Sequence, residues 1–397
     1  MKSSIAFPEA IKSIYPLCKV ESEEIPLVKA KGRILAESIC ADRDFPPFDR
    51  VMMDGYAICL GKKMDPPFDT FAIVKKQVIG KQPKLIVSYK EAIPVSTGCV
   101  LPKGANAVIP IEWTKLWKDR LSIKDNYQIK KRQYIHQQAS DYGSGETLLK
   151  RGTFLQSPEL SIIASCGHSR IKVAKKLRIG LLVTGSELIP IDEKPDPFQQ
   201  RRSNEISISS IVEALTGDLP QVLFAGEEYE SVLQGISQLK QSCDLILSTG
   251  GLALGAGDFT IKALEALGYK IQFHGVNQKP GKPIAYGIDP KTHQQVLALP
   301  GSPVSAIVTA RVYLPQILFH PASKPLQVVL KNRPKLLPNM SALIPGKIED
   351  SGQIEPIYLQ NSGDFATLKA SRGIIYCPPS NVEDTANGME FLFYPWL

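Results

Sequence analysis

The sequence predicts an α/β-plus-β fold: a multidomain, elongated subunit with a helical stalk, an all-β insertion, a doubly wound parallel α/β domain and a C-terminal β-barrel. Three observations carry this expectation. Between Lys176 and Leu318 short apolar runs alternate with stretches of helical period, the texture of a sheet covered on both faces. Residues 41–141 and 325–397 instead hold short apolar runs broken by Pro and Gly, without helical period. At the centre, Leu245 to Leu247 runs into Ser248-Thr249-Gly250-Gly251, a glycine-rich turn follows, and Asp258 opens a helix over Ile261, Leu264 and Leu267. A glycine turn between strand and helix leaves free N–H groups beside the positive end of a helix dipole, where an anion is favoured.

The elements follow in order. Residues 7–17 pattern as a short helix, with Ile11 and Ile14 on one face, and residues 25–39 continue a helical pattern through Gly32-Arg33-Ile34-Leu35-Ala36. Ser157 as N-cap and Pro158 at the first helical position open a helix over Leu160, Ile163 and Ala164. These pieces form the stalk, 1–40 with 142–174. Between them Asp44-Phe-Pro-Pro-Phe-Asp49 is a loop, and Asp54-Gly55 turns into a strand reaching Ile58. The runs Phe71–Val74, Leu85–Val87, Ala107–Ile111 and Leu121–Ile123 complete an insertion over 41–141.

In the α/β domain, 175–325, strands are expected at Ile179–Val183, Gln221–Ala225, Leu245–Leu247, 270–274, 284–287 and 295–299. Helices are expected at Asn204–Leu215, Ser231–Leu239, 259–267 and 304–318, the last capped by Ser302 with Pro303 at its first position. Strands at Leu326–Leu330, Ala342–Ile348, Ile354–Leu359, Gly373–Cys377 and Met389–Phe393 make the barrel, 326–397.

Composition excludes several classes. A net charge of +8 comes from scattered lysines and arginines, and the densest groups, Lys130-Lys131-Arg132 and Lys172 to Arg178, are short and lack interleaved aromatics. That argues against nucleic acid and suits small anionic substrates. Seven cysteines form no C-x-x-C pair and five histidines lie far apart, which argues against a zinc site or a disulfide framework and for a reducing compartment. No run approaches the ~18 apolar residues of a membrane span, and the first residues lack the unbroken apolar core of a signal peptide, so a cytoplasmic protein is expected.

Four loops gather the chemistry: Thr184-Gly185-Ser186-Glu187, Thr249-Gly250-Gly251 through Asp258, Lys279-Pro280-Gly281-Lys282, and Pro300-Gly301-Ser302-Pro303. Together they offer two carboxylates, two ammonium groups, glycine N–H groups and a helix N-terminus. Carboxylates with phosphate oxygens suit magnesium, while lysines and glycine N–H groups suit an oxyanion. Neither a complete dinucleotide fingerprint nor a P-loop is present, since Thr260 stands where the third glycine would be.

With these motifs in register the chain resembles the molybdopterin molybdenumtransferase family, which includes the gephyrin E domain. Met53-Asp54-Gly55-Tyr56-Ala57, Ser96-Thr97-Gly98, Leu101-Pro102-Lys103-Gly104-Ala105-Asn106-Ala107-Val108 and the four loops carry the resemblance, with Ser362-Gly363 where the family has a serine-rich loop. The resemblance implies a homodimer and a transferase in which adenylylated molybdopterin and molybdate meet between the α/β domain of one subunit and the β insertion of the other. Magnesium-dependent loss of AMP would then give molybdenum cofactor. It further implies Asp258 and Glu187 as catalytic carboxylates near the metal, with Asp54 a third catalytic carboxylate. Thr97, Thr249, Gly250, Gly251, Lys279, Lys282, Pro300, Gly301, Ser302 and Ser362 would bind substrate.

The chain also departs from the family pattern. Ser186 replaces an acidic residue, Ala253 a serine and Ser302 an asparagine. His136-Gln137-Gln138-Ala139-Ser140-Asp141 keeps one acidic residue of a pair, and Gly226-Glu227-Glu228-Tyr229 stands where an Asp-Asp pair is usual, so that Glu227 or Glu228 could supply a carboxylate. The alternative these departures raise is a non-catalytic molybdopterin-binding scaffold.

Overall fold

The computed structural model describes residues 4–17, 21–61, 70–75, 78–81, 87–124, 127–252, 258–318, 320–321, 324–332, 334–335, 337–380 and 391–397. The chain divides into two compact units, Met1–Glu23 with Val173–Leu397, and Glu24–Lys172.

The smaller unit is built on a six-stranded sheet in the order Ala107–Pro110, Gly55–Ile58, Glu91–Val95, Thr70–Ile73, Arg120–Ile123, Thr114–Trp117. Strand period explains its double core: Ala57 packs with Val51, Val95 and Val108 on one face, Tyr56 and Ile58 with Ala92 and Ile109 on the other. Of the expected strand Leu85–Val87, residues 85 and 86 lie outside the described residues. Residues 25–39 are not the expected helix. After a short 3-10 turn, Leu27–Lys29, the chain turns at Gly32 and pairs with 153–155, Leu35 N–H donating to Thr153 O and Leu155 N–H to Arg33 O. The long-range ladder satisfies those amides, so the local helical pattern of Ile34 and Leu35 is overridden. The helix Ser157–Ser165 is present, but Gln156 holds the cap position and its N–H is taken by Glu159 Oε2 at 2.9 Å; Ser157 is already helical.

In the larger unit the helix Phe7–Lys12 corrects the stalk boundary. Phe7, Ala10 and Ile14 bury their stripe in the α/β core, the Phe7 ring stacked on Tyr376 at 4.7 Å and edge-on to Tyr313 at 5.9 Å. It stops at Lys12, short of the expected residue 17, where the Ser13 hydroxyl bonds the Glu9 carbonyl.

The α/β sheet runs Gln221–Ala225, Ile179–Thr184, Leu245–Thr249, Gln295–Leu299, Ala285–Ile288, Lys270–His274. Leu181 and Val183 face the helices Ser203–Thr216 and Pro303–Ile317, and Leu182 faces Tyr229–Ser242 and Phe259–Ala266. The sheet is therefore covered on both faces, as expected, but it is mixed rather than wholly parallel. Ala285–Ile288 runs against both neighbours. Only residues 289–294 separate it from Gln295–Leu299, enough for a hairpin and too few for a crossover.

The last strands, Leu326–Val328, Ser341–Ile348, Ile354–Pro356, Gly373–Cys377 and Phe391–Pro395, form an antiparallel ladder around a core of Ile354, Ile375, Cys377 and Phe393. A bridge between Leu330 and Ile354 closes it into the expected barrel, with Lys331 N–H on Ile354 O and Ile354 N–H on Val329 O. Gln278–Lys279 from the α/β region adds a short parallel strand beside Ser341–Ala342. Residues 389 and 390 of the expected last strand lie outside the described residues.

Candidate active site

Parallel strands deliver Thr184, Ala225, Thr249 and Leu299 to one edge of the α/β sheet. The loops leaving that edge are stitched together by side chains. Thr249, 1 % exposed, donates its hydroxyl to Pro300 O (3.1 Å) and accepts from Asn204 Nδ2 (3.1 Å); Asn204 Nδ2 also reaches Gly301 O at 2.7 Å. Thr184 Oγ1 donates to Thr249 O and Thr260 Oγ1 to Gly250 O. Gly250 sits at φ +92°, and a Cβ there would stand 2.4 Å from Thr184 O, so the close approach of the two loops requires glycine.

Two adjoining clefts open on these loops, sharing Leu252 and Gly301. The smaller, about 240 Å³, is lined by Glu187, Thr249, Gly250 and Gly251, with Glu227, Arg201, Arg202 and Asn204. Ser186 Oγ accepts the Glu227 N–H at 3.2 Å and so ties the two loops that bear Glu187 and Glu227. The larger, about 810 Å³, is lined by Lys279, Lys282, Pro300, Gly301, Ser302 and Ser362, with Lys335 as a third ammonium group and an apolar wall of Leu343, Ile344, Pro345, Ile357 and Leu359. Ser302 occupies the helix cap position, yet its hydroxyl bonds Ser305 Oγ at 2.7 Å instead of a backbone N–H. Ser362 O accepts the Val304 N–H, tying the serine loop to the start of that helix.

Asp258 opens the helix Phe259–Ala266. Its Oδ1 accepts Ile261 N–H at 2.9 Å, the expected N-cap, while Oδ2 faces His274 Nε2 at 3.1 Å, both atoms buried and without a hydrogen bond among the described residues. Among the described residues, those lining the two clefts do not include Asp258. Glu187 shares its cleft with a second carboxylate, Glu227. His274 ends its strand at the same edge as the glycine loop, and two residues on Val276 N–H bonds Lys282 O, so Asp258 and the lysine turn share that edge of the sheet. Ala253, Gly255 and Gly257 lie outside the described residues.

In the smaller unit the structure joins Asp54 and Thr97: Thr97 N–H donates to Asp54 Oδ1 at 2.7 Å, both residues exposed. Gly55 follows because a Cβ there would stand 1.9 Å from Ile109 O. His136 bridges Arg50 (3.0 Å) and Asp141 (2.6 Å), a satisfied histidine rather than a free ligand. Asn204, Lys335, Arg201 and Arg202 line the clefts without any sequence motif to mark them, and Glu227 takes the place open to it or Glu228. Asn204 opens an expected helix, the arginines before it fall in no motif, and Lys335 sits in a run of Pro and Leu with no motif around it.

The fold and these clefts define a class: a multidomain protein whose mixed α/β domain presents glycine loops, carboxylates and ammonium groups for an anionic ligand. Residues 5–167 match the MoeA N-terminal region (domain I and II), and residues 180–320 the probable molybdopterin binding domain. A molybdopterin molybdenumtransferase of Synechocystis sp. is 30% identical over 369 residues, covering 92% of this chain and 93% of the relative. The molybdopterin molybdenumtransferase of Haemophilus influenzae is 29% identical, covering 73% and 70%. The crystal structure of a molybdopterin biosynthesis moeA protein from Pyrococcus horikoshii superposes with a TM-score of 0.79 at 25% identity, covering 99% of this chain and all of that one. The chain belongs to the molybdopterin molybdenumtransferase family and is a transferase of molybdenum cofactor biosynthesis. No helix among the described residues is long and apolar enough to cross a membrane.

Proposed function

We propose that this transferase inserts molybdate into adenylylated molybdopterin and releases AMP, giving molybdenum cofactor. The observation that carries the reading is the pair of adjoining clefts, one lined by lysines and serines, the other by carboxylates and glycine N–H groups, with Gly301 common to both. Lys279 and Lys282, with Ser302 and Ser362, suit a tetrahedral oxyanion; Thr249, Gly250 and Gly251 suit the phosphate of the adenylylated pterin. Holding both reactants in adjacent clefts converts an encounter into a positioned reaction, and the ammonium groups offset charge as the phosphoanhydride breaks.

Magnesium fits the donor set in part. Among the described residues no group of three or more His, Cys, Asp and Glu side chains is placed to hold a metal ion. Magnesium, however, is commonly held by one or two carboxylates with substrate phosphate oxygens, and Glu187 with Glu227 lines the phosphate cleft. Bound there, it would supply Lewis-acid neutralisation of the phosphate charge. Two of the residues that set the chain apart from the expected pattern are engaged: Ser186 Oγ accepts the Glu227 N–H and Ser302 bonds Ser305. Complementation tests the reading: expression in a molybdenumtransferase-null strain should restore molybdoenzyme activity, and failure of the stably expressed protein would overturn it.

A further inference from the structure

We infer that Gln278, buried in the wall of the larger cleft, and Tyr313, buried behind it, are positioning residues that set where Lys279 and Lys282 meet the oxyanion. The inference rests on the reading of that cleft as the molybdate site. Gln278 immediately precedes the turn and is fully buried. Its Nε2 donates to Gly281 O at 3.0 Å, across the turn, and its Oε1 accepts the Tyr313 hydroxyl at 2.6 Å. Tyr313 is also fully buried, and burial pushes its phenol well above the ordinary range, so it is a permanent donor. One side chain thus closes the lysine turn from inside and fastens it to the core helix Pro303–Ile317.

The same helix begins beside Ser302 and carries Ser305, both of which line the cleft. Residues 303 and 313 are about 15 Å apart along a helix axis. A single rigid element therefore fixes the Pro300–Ser302 loop at its start and the lysine turn ten residues further in. Contact reinforces the bond: a Cβ at Gly281 would lie 2.4 Å from Thr309 Cγ2 on that helix, so the turn rests directly on it. The lysine side chains themselves are exposed. Their placement comes from the backbone of the turn, and the buried amide is what holds that backbone.

The test is Tyr313→Phe, which keeps the ring packed against Phe7 and Phe273 and removes only the hydroxyl. Hydrogen exchange in the full-length protein should quicken at least tenfold at Val276, whose N–H bonds Lys282 O, while the helix 303–317 keeps its protection. The molybdate concentration for half-maximal rate should rise at least fivefold with kcat held within twofold. In a Lys279→Ala background the same substitution should add less than twofold. Gln278→Met, which keeps length and loses both bonds, should reproduce the exchange effect. Unchanged exchange at Val276 in both variants, or a Tyr313→Phe effect on half-saturation that persists undiminished with Lys279→Ala, would overturn the inference. If Lys279→Ala leaves molybdate saturation unchanged, the reading of the cleft fails instead, and the exchange result still decides the positioning role.

Discussion

Asn204→Ala perturbs the stitch between the two clefts. The wild-type amide makes two hydrogen bonds through Nδ2, to Thr249 Oγ1 and Gly301 O, each worth about 1 kcal/mol net. Its Oδ1 is buried without a hydrogen-bond partner among the described residues, so truncation also removes an unsatisfied acceptor and gives back part of that loss. The expected net destabilisation is about 1–2 kcal/mol, a Tm fall of roughly 3–6 °C for a unit of about 250 residues. Activity should fall further than stability, because the loops 249–251 and 300–302 that the amide holds together line both clefts. Asn204→Asp separates shape from chemistry. It keeps the outline but aims a carboxylate oxygen at the Gly301 carbonyl, and should cost more than alanine in Tm and in rate. Differential scanning fluorimetry with steady-state rates measures both. A Tm within 1 °C of wild type for Asn204→Ala, or Asn204→Asp more active than Asn204→Ala, would refute the stitching argument.

Other perturbations have equally definite outcomes. Lys282→Ala removes a charged donor worth about 1.5–3 kcal/mol, so half-saturation by molybdate should rise roughly ten- to hundredfold in a rate assay. Asp54→Asn retains an acceptor for Thr97 N–H and removes only the charge; thermal melts should show Tm unchanged within about 1 °C, and AMP release should fall. Asp289 is held down to about 2 by the Lys240 ammonium, 2.8 Å away. Because its folded value lies below the unfolded one, this pair contributes about 1–2 kcal/mol above pH ~4 and loses it as pH falls towards 2. Urea midpoints should show that acid-side loss shrinking in Asp289→Asn. Gly250→Ala should lower the urea midpoint more than Asn204→Ala does, since a Cβ would press on Thr184 at φ +92°.

Much of the fold was legible in the sequence because period and punctuation are local signals. Gln221–Ala225, Lys270–His274 and Gln295–Leu299 fall where apolar runs end at Gly, Pro or Asp, and Asp258 caps its helix as its side chain dictates. Local pattern misleads where distant partners decide. Ile34 and Leu35 follow a helical pattern but pair with 153–155, and Phe7 carries its helix into the α/β core through Tyr376 and Tyr313. The reversed strand Ala285–Ile288 was signalled by its six-residue connection to the next strand, a cue that apolar content alone hides. At the site, glycine loops and lysines announced themselves by motif. Asn204 and Gln278 did not, because an amide's role depends on which backbone carbonyls the fold brings to it. The contact of Asp258 with His274 was equally hidden, since the two residues are brought together only by the fold.

Incubating purified protein with magnesium, adenylylated molybdopterin and increasing molybdate, and following AMP, tests the central claim most directly. Wild type should release AMP with saturable dependence on molybdate, Lys279→Ala should require far more molybdate, and Glu187→Gln should lose turnover at every molybdate concentration. Release that is absent in wild type, or indifferent to molybdate and to both substitutions, would contradict the account.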